Sequence, residues 1–282
     1  MALPDFIIVG AMKCGTSTLA AQLEAQPGFF MTTPKEPNFF SDDEIYSKGA
    51  DWYKNLFADA APDDIKGEAS THYTKLPLLP DALPRIRNML DNPKIIYLIR
   101  DPVARAVSHY IHEWTMGVMS DDIEKAFANH KELVSYGCYA DQIGPYVDAY
   151  GVDHVLVLNL ETMKKNPQQL LEKVCDFLGY KGQPSWSDEL TKVNVSAERI
   201  RRFPLHGLIF SNPVAATLRR TLVPQSIRDR LKKKRQMRDR PELSEALRND
   251  IQALFVADFK KLRSIFADRD DLRISYPFIA DD

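Results

Sequence analysis

The chain has few cysteines, almost no net charge and no long apolar run. Its three cysteines, Cys14, Cys138 and Cys175, are odd in number and scattered over 282 residues, which argues against a disulfide framework and favours a reducing compartment. No apolar stretch reaches membrane-spanning length, and the N-terminus leads into a strand-like run without the pattern of a signal peptide. A formal net charge of −2 gives no general attraction for nucleic acid. We therefore expect a cytoplasmic globular protein with no nucleic-acid partner.

What is present is organised around the stretch Phe6–Leu23. Phe6–Val9 is a continuous apolar run typical of a strand buried on both faces. Leu19, Ala20 and Leu23 then recur at helical spacing. Between them lies a turn of small residues that holds one lysine. This stretch predicts a strand that passes through a tight turn into a helix.

The turn, residues 10–18, is suited to an oxyanion. A strand that enters a helix through such a turn directs unpaired backbone N–H groups and the positive end of the helix dipole at one point. Lys13 adds a full charge, and Thr16–Thr18 add hydroxyl donors. A plain connection with capping hydroxyls would give the same pattern. Because Lys13 precedes Gly15, whereas the lysine of a nucleoside-triphosphate P-loop follows its second glycine, we expect a phosphate-like ligand without the usual magnesium arrangement.

Strand-like and helix-like segments alternate along the chain. Further strands are predicted at 65–70, 94–99 and 154–159. Helices are predicted from Pro102 onward and over Ile123–Val134, Gly137–Tyr150, Pro167–Leu178 and Leu243–Phe266. This alternation predicts an α/β fold with a P-loop-like parallel β-sheet, flanked by helices on both faces, and a helical C-terminal region. We expect one domain over the whole chain, with a core at about 5–180 and a basic helical portion at about 190–282.

Candidate site residues fall at the carboxyl ends of these strands, beyond which ligands of parallel sheets bind. The segments that fall there are Gly10, Ser70, Arg100 and the residues after Asn159. Before the second strand, Glu36 lies between Pro34 and Pro37, which hold its backbone extended. Phe39 and Phe40 are expected to anchor this segment in the core, so Glu36 is a candidate for a positioned carboxylate.

A basic stretch near the C-terminus, Arg219–Arg240, holds ten lysines and arginines against two aspartates. It could be a solvated helix, a lid over an anionic ligand, or a patch for an acidic glycan or anionic lipid. The sequence leaves these three open. Peripheral contact with an anionic surface is therefore one prediction for this stretch.

Four motifs together resemble the PAPS-dependent sulfotransferases, in particular the branch of bacterial enzymes and heparan sulfate sulfotransferase domains. They are Lys13–Thr18, Lys35–Phe40, Gly67–Ser70 and Arg100–Pro102 with Ser108 and Tyr110. The similarity runs from about Asp5 to about Asn159 and weakens afterwards. Each motif alone is modest, whereas their order and spacing are specific.

The resemblance implies a nucleotide co-substrate, PAPS, with PAP as its product. No metal is expected, because a sulfuryl group carries less charge than a terminal phosphoryl group and no cluster of His, Cys or Asp suggests a metal site. It implies that the 5′-phosphosulfate is held by Lys13, Cys14, Gly15, Thr16, Ser17 and Thr18. It assigns the 3′-phosphate to Arg100 and Ser108, which the residues also support, since Ser108 lies about two turns into the helix that follows Arg100. A closing loop is expected at Ser196 and Arg199.

The resemblance also implies a reaction, transfer of a sulfuryl group to an acceptor hydroxyl of a sugar, phenol, alcohol or lipid. Glu36 matches the catalytic base of the glycan-directed branch, and Lys13 would stabilise the leaving phosphate. His72, just past the second strand, is a second candidate base. The chain departs from that branch at Ala69, where a lysine is common. Tyr139 and Gln142 are predicted to line the acceptor pocket.

Two other classes of function remain open at this point. A P-loop kinase of small molecules would need ATP and magnesium, and the order of Lys13 and Gly15 speaks against it. A non-catalytic nucleotide-binding or interaction protein could keep the loop but would not need Glu36.

Overall fold

A parallel five-stranded sheet lies at the centre of the part of the chain that a computed structural model describes, residues 3–192, 237 and 239–280. Its strands are β1 (Phe6–Gly10), β2 (Phe29–Met31), β3 (Ile65–Ala69), β4 (Lys94–Ile99) and β5 (Val155–Asn159). They lie in the order β2-β3-β1-β4-β5, and each neighbouring pair is parallel. Every residue of β1 and β5 is buried, as expected for strands covered on both faces.

Helices flank the sheet and form most of its connections. The α-helices are α1 (Thr16–Glu24), α2 (Asp43–Tyr46), α3 (Gly49–Asn55), α4 (Ala82–Met89), α5 (Pro102–Met116), α6 (Ile123–Asn129), α7 (Glu132–Ser135), α8 (Tyr139–Tyr150), α9 (Leu160–Lys165), α10 (Pro167–Leu178), α11 (Asp188–Lys192) and α12 (Glu245–Ile265). Short 3₁₀ helices span Thr71–Thr74, Val152–His154 and Asp270–Ser275. The predicted α/β class, with a helical C-terminal region, is confirmed.

Among the differences from the sequence-based prediction, two concern β2 and the helix expected over Ile123–Val134. The edge strand β2 was not predicted, because three residues are too few to show a period. The helix expected over Ile123–Val134 is divided into α6 and α7, which are separated at His130 and Lys131. The Nδ1 atom of His130 lies 3.0 Å from Glu132 Oε1, a contact that holds the break. The predicted single-domain organisation stays a prediction.

Helix α12 packs on helix α8 through a buried face that includes Ile251, Phe255, Phe259 and Leu262. On the same face Asp258 accepts the backbone N–H groups of Ala140 and Asp141 at 3.1 and 3.3 Å. Asp258 thereby satisfies donors at the start of α8 that have no partner within that helix. The three cysteines are free thiols. Among the described residues, no helix is both long and apolar enough to cross a membrane.

Gly67 tests how tightly the sheet is packed. A Cβ atom added there would clash with three ring carbons of Phe6, which is fully buried and pairs with Gly67 across β1 and β3. We expect Gly67→Ala to lower the free energy of unfolding by about 1–3 kcal/mol, the usual cost of overpacking. The matched control is Gly144→Ala in α8, where the new Cβ would meet Ile265 at an ordinary 3.5 Å. Urea denaturation measures both, and equal stability of the two variants would contradict this packing.

Candidate active site

The turn between β1 and α1 presents a cluster of donors. Lys13 and Gly15 both adopt left-handed backbone conformations, with φ of 70° and 93°. The first backbone bonds of α1 run from Thr18 and Leu19 to the Gly15 carbonyl, so the N–H groups of Thr16 and Ser17 have no helical partner. A Cβ at Gly15 would lie 2.6 Å from Met163 and 2.8 Å from Leu160, which explains why glycine is needed there.

Lys13 supplies the charge of this turn. Burial and the neighbouring charge of Arg100 lower the pKa of Lys13 below its usual value. Both effects disfavour the ammonium form, and an anion bound beside it would offset them. The turn is therefore suited to a negatively charged ligand.

Arg100 leaves the end of β4 and reaches the same turn. Its Nη1 donates to the backbone oxygen of Lys13 at 3.2 Å, while its buried Nε has no hydrogen-bond partner. The next residue, Asp101, does not pair with Arg100 but caps α5 by accepting the N–H groups of Val103 and Ala104. The guanidinium group therefore retains an unpaired N–H from which a phosphate oxygen could accept a hydrogen bond.

Glu36 is held in an uncommon backbone conformation. Its φ is 58°, and its N–H donates to the Ala69 carbonyl at the end of β3 at 3.0 Å. Its Oε1 accepts hydrogen bonds from Lys35 Nζ at 2.9 Å and from the Thr71 hydroxyl at 3.2 Å. A left-handed residue that is not glycine costs free energy, and such strain concentrates at functional sites. The prediction of an extended backbone at Glu36 is therefore wrong, because the contact with the end of β3 is not visible in the flanking prolines.

The pKa of Glu36 reflects these contacts. Burial acts to raise the pKa of this carboxyl group, but the charge and hydrogen bond of Lys35, with His72 and Thr71, outweigh it. The pKa therefore lies below its usual value, and Glu36 is a carboxylate at neutral pH. A carboxylate in this state can accept a proton from a bound hydroxyl.

One cavity of about 460 Å³ brings the predicted residues together. The predicted site residues that line it are Lys13, Gly15, Thr16, Ser17, Thr18, Glu36, His72, Arg100 and Ser108. Further lining residues that were not predicted are Met12, Thr71, Lys75, His112 and Glu113. The cavity joins the oxyanion turn, the unpaired guanidinium donor and the held carboxylate in one space.

Lys75 is the most consequential of the residues that sequence reasoning missed. It follows the 3₁₀ helix after β3 and contributes a cation to the wall that carries His72. Burial lowers the pKa of Lys75, and burial together with the charge of Lys75 lowers the pKa of His72. Ala69 is buried and offers no cation, whereas Lys75 contributes one to the cavity.

His112 could have been found from helical spacing, whereas Glu113 could not. They lie four and five residues after Ser108 on α5, and all three line the cavity. Glu113 Oε1 lies 3.6 Å from His109 Nε2. This contact with His109, together with the charges of His112 and Lys75, outweighs burial and keeps the pKa of Glu113 below its usual value.

Several predicted roles are not supported by position. The Cys14 side chain is fully buried with its Sγ 3.7 Å from the Tyr139 hydroxyl, so it does not line the cavity. Tyr139 and Gln142 are also buried away from it. Tyr139 donates to the Arg100 carbonyl at 2.9 Å, and Gln142 binds the backbone of Leu76 at 2.8 and 2.9 Å. Both brace the wall from behind instead of lining an acceptor pocket.

Other predicted residues lie elsewhere or outside the described chain. Ser196 and Arg199 fall outside the described residues, as does Arg219–Arg240 apart from Met237, Asp239 and Arg240. The end of β5 was expected at the site, but Asn159 and Thr162 line a different cavity beside α10.

One group of possible metal-binding side chains occurs among the described residues, and it lies away from the cavity. Ligand atoms of Cys138, Asp141 and Asp258 lie within 4.8 Å of one another. These carboxylates already bind backbone N–H groups and Lys261. None of the three lines the candidate active site. The expectation that no metal takes part stays a prediction.

Comparison with known proteins identifies the family. The profile described as "Sulfotransferase domain" matches residues 3–262. Heparan sulfate glucosamine 3-O-sulfotransferase 3B1 of Mus musculus is 30% identical over 189 residues, 64% of this chain and 47% of that protein. Membrane-associated sulfotransferase kil1 of Dictyostelium discoideum is 32% identical over 139 residues, 47% of this chain and 28% of that protein. The chain thus spans about half the length of the mouse relative.

The fold is shared with a solved sulfotransferase from Alicyclobacillus acidocaldarius. The two superpose with a TM-score of 0.66 at 23% identity, over 94% of this chain and 96% of that one. At 23% identity, this similarity supports a shared fold and nothing more. The resemblance inferred from the four sequence motifs is confirmed at the level of the family.

The three thiols should be inert in the folded protein. Burial raises the pKa of Cys14 and Cys175 to about 11 and that of Cys138 to about 12, so their thiolate fractions are small at pH 8. We expect iodoacetamide at pH 8 to label the native protein much more slowly than the urea-unfolded protein, in which all three thiols react. Mass spectrometry counts the labels, and rapid native labelling of Cys14 would contradict its placement.

Proposed function

This chain belongs to the sulfotransferase domain family, and on that premise we propose that it transfers a sulfuryl group from PAPS to an acceptor hydroxyl. The observation that carries the proposal is the single cavity that joins the oxyanion turn, Arg100 and Glu36. A donor nucleotide with phosphate groups at both ends needs two separate anion sites. The acceptor needs a base beside the group that is transferred.

The residues present fit such a nucleotide. The N–H groups of Thr16 and Ser17 and the ammonium group of Lys13 would hold the 5′-phosphosulfate, since they face the cavity without helical partners. Arg100 has a buried Nε without a partner, and Ser108 lies about two turns into α5 and lines the same cavity, so these two would hold the 3′-phosphate. No metal ligand is required by this set of donors.

Glu36 is proposed to remove the proton of the acceptor hydroxyl. It is ionised at neutral pH and is fixed by Thr71 and by its own backbone bond to Ala69. As the acceptor oxygen bonds to sulfur and the bond from sulfur to the bridging oxygen breaks, negative charge passes to the 5′-phosphate. Lys13 and the N–H groups of the turn would stabilise that charge. PAPS supplies the activated sulfuryl group, and the chain supplies position and charge.

His72 is the competing candidate for the base. It lines the same cavity, and its lowered pKa keeps it neutral and able to accept a proton. Glu36 is favoured because hydrogen bonds hold its carboxylate and because strain is stored in its backbone. The two assignments are separated by the substitutions below.

The acceptor is a hydroxyl compound, and a sugar, phenol, alcohol or lipid all remain within the proposal. The wall around Glu36 is polar, with Thr71, His72, Lys75 and Glu113. This favours a polar acceptor over an apolar one. The printed name of the mouse relative, which refers to heparan sulfate glucosamine, supports a sugar. Contact with an anionic surface through Arg219–Arg240, a cytoplasmic location and the lack of a nucleic-acid partner stay predictions.

Glu36→Gln tests the base. We expect turnover of labelled PAPS, with the best acceptor from a panel of sugars, phenols, alcohols and lipids, to fall by roughly 10²–10⁴-fold, the usual contribution of a general base. PAP affinity should remain nearly unchanged. Glu44→Gln on the exposed face of α2 is the matched control and should keep full turnover. Normal turnover in Glu36→Gln, together with loss in His72→Ala, would transfer the role to His72.

Arg100→Ala tests the 3′-phosphate site. We expect it to weaken binding of PAP much more than binding of adenosine 5′-phosphate, because only PAP carries the group that Arg100 would hold. Arg85→Ala is the control, since Arg85 pairs with Asp43 and does not line the cavity. Isothermal titration measures both ligands. Equal losses for the two ligands would remove Arg100 from this role, and tight binding of ATP that requires magnesium would favour a kinase.

A further inference from the structure

A second carboxylate, Glu68, lies under the segment that carries Glu36. Glu68 is in β3 and fully buried, and no lysine or arginine among the described residues forms a salt bridge with it. Its Oε1 accepts the Tyr53 hydroxyl at 2.7 Å and the Tyr73 hydroxyl at 3.1 Å. Its Oε2 accepts the Ser70 hydroxyl at 3.2 Å. Three hydroxyl groups therefore take the place of a counter-ion.

Two of these hydroxyl groups continue to the backbone beyond Glu36. The Ser70 oxygen accepts the N–H of Asn38 at 3.2 Å, and the Tyr73 oxygen accepts the N–H of Phe40 at 3.4 Å. Each hydroxyl donates to Glu68 and accepts from the backbone, so it links the two. A hydroxyl that donates to a carboxylate becomes a better acceptor, because hydrogen bonds in a chain polarise one another.

The segment held in this way is the strained one. Glu36 and Asn38 both have left-handed backbones, with φ of 58° and 53°. Phe39 and Phe40 are fully buried and pack against Tyr53 with ring centroids 4.7 and 4.9 Å away, so they fix the far end of the segment. Strained conformations persist only where surrounding contacts over-determine them. The links through Ser70 and Tyr73 are such contacts, and both end on Glu68.

We propose that Glu68 is a positioning residue for Glu36, which in its ionised form orients the hydroxyl groups of Ser70 and Tyr73 to hold the backbone of residues 36–40. This inference rests on the proposed role of Glu36 as the base. Glu68 does not line the cavity, and it acts only through the segment.

The charge of Glu68 gives this role a distinctive pH dependence. Burial raises the pKa of Glu68 from 4.5 to about 7, and the titratable groups that face it are Tyr53, Tyr73 and Tyr146. Below about pH 7 the protonated carboxyl group must donate one hydrogen bond, so the three hydroxyl groups can no longer all point at it. Turnover should therefore rise as the pH increases through about 7.

The free energy of unfolding should change in the opposite direction and fall as the pH increases. The folded state binds the proton of Glu68 more tightly than the unfolded chain does. The resulting stabilisation is complete below the usual carboxyl pKa and is lost as the pH rises through about 7. The ionised form that positions Glu36 is thus the less stable one. If Glu68 contributed only to stability, turnover and stability would not respond to pH in opposite directions.

Glu68→Gln tests the proposal because it fixes an uncharged group of the same shape. At pH 8 we expect turnover of labelled PAPS to fall about tenfold, with unchanged PAP affinity, and the rise in turnover between pH 6 and pH 8 to disappear. If the protein accepts none of the compounds in the panel, the release of sulfate from PAPS to water is measured instead. Hydrogen exchange at Asn38 and Phe40 in the PAP complex should accelerate. The matched control is Asp258→Asn, a buried acid remote from the cavity that should keep the pH rise.

A double-mutant cycle with Glu36→Gln separates the failure of this inference from the failure of the proposed function. If Glu68 acts through Glu36, Glu68→Gln should cost no further turnover in the Glu36→Gln background. Equal and independent losses, or an unchanged pH profile in Glu68→Gln, would overturn the positioning role alone. Full turnover in Glu36→Gln would instead overturn the base assignment, whatever Glu68→Gln does.

Discussion

The carboxyl edge of the sheet depends on one constraint, a turn after β1 that leaves its donors unpaired. Left-handed backbones at Lys13 and Gly15 turn the N–H groups of the first helical residues toward the cavity. Arg100 fixes this turn from the end of β4 through the carbonyl of Lys13. The turn and the guanidinium group are therefore positioned by the same contact, which ties two neighbouring strands of the sheet to one ligand site.

On the other side of the cavity, the segment that holds Glu36 and strand β3 below it each carry a carboxylate. Glu36 is exposed enough to meet a ligand and is neutralised by Lys35. Glu68 is fully buried and is satisfied by hydroxyl groups. The charge and hydrogen bond of Lys35 outweigh burial and lower the pKa of Glu36, whereas burial without a cation raises the pKa of Glu68. Two acids on adjacent segments are thus suited to opposite tasks, one chemical and one structural.

The sequence predicted most of the fold because the strands are continuous apolar runs. It missed β2, which is defined by pairing with β3 and not by a period of its own. At the site, residues next to strand ends were predicted, whereas Lys75 and Glu113 depend on how a 3₁₀ helix and α5 face the cavity. Cys14 shows the opposite case. It belongs to a predicted motif, but its side chain is fully buried, because a motif does not determine which way a side chain points. Side-chain direction required the structure.

The pairing of Glu36 with Lys35 also affects how a ligand arrives. Of the two acids on the cavity wall, Glu36 is paired with Lys35, whereas Glu113 lies beside His109, whose pKa burial lowers to about 4 so that it is neutral at neutral pH. Lys13, Lys75 and Arg100 have no acidic partner within salt-bridge distance among the described residues, so cationic side chains outnumber carboxylates along the cavity although the whole chain carries a formal charge of −2. A negatively charged ligand is then attracted to this cavity from a distance. Its rate of association should depend steeply on ionic strength.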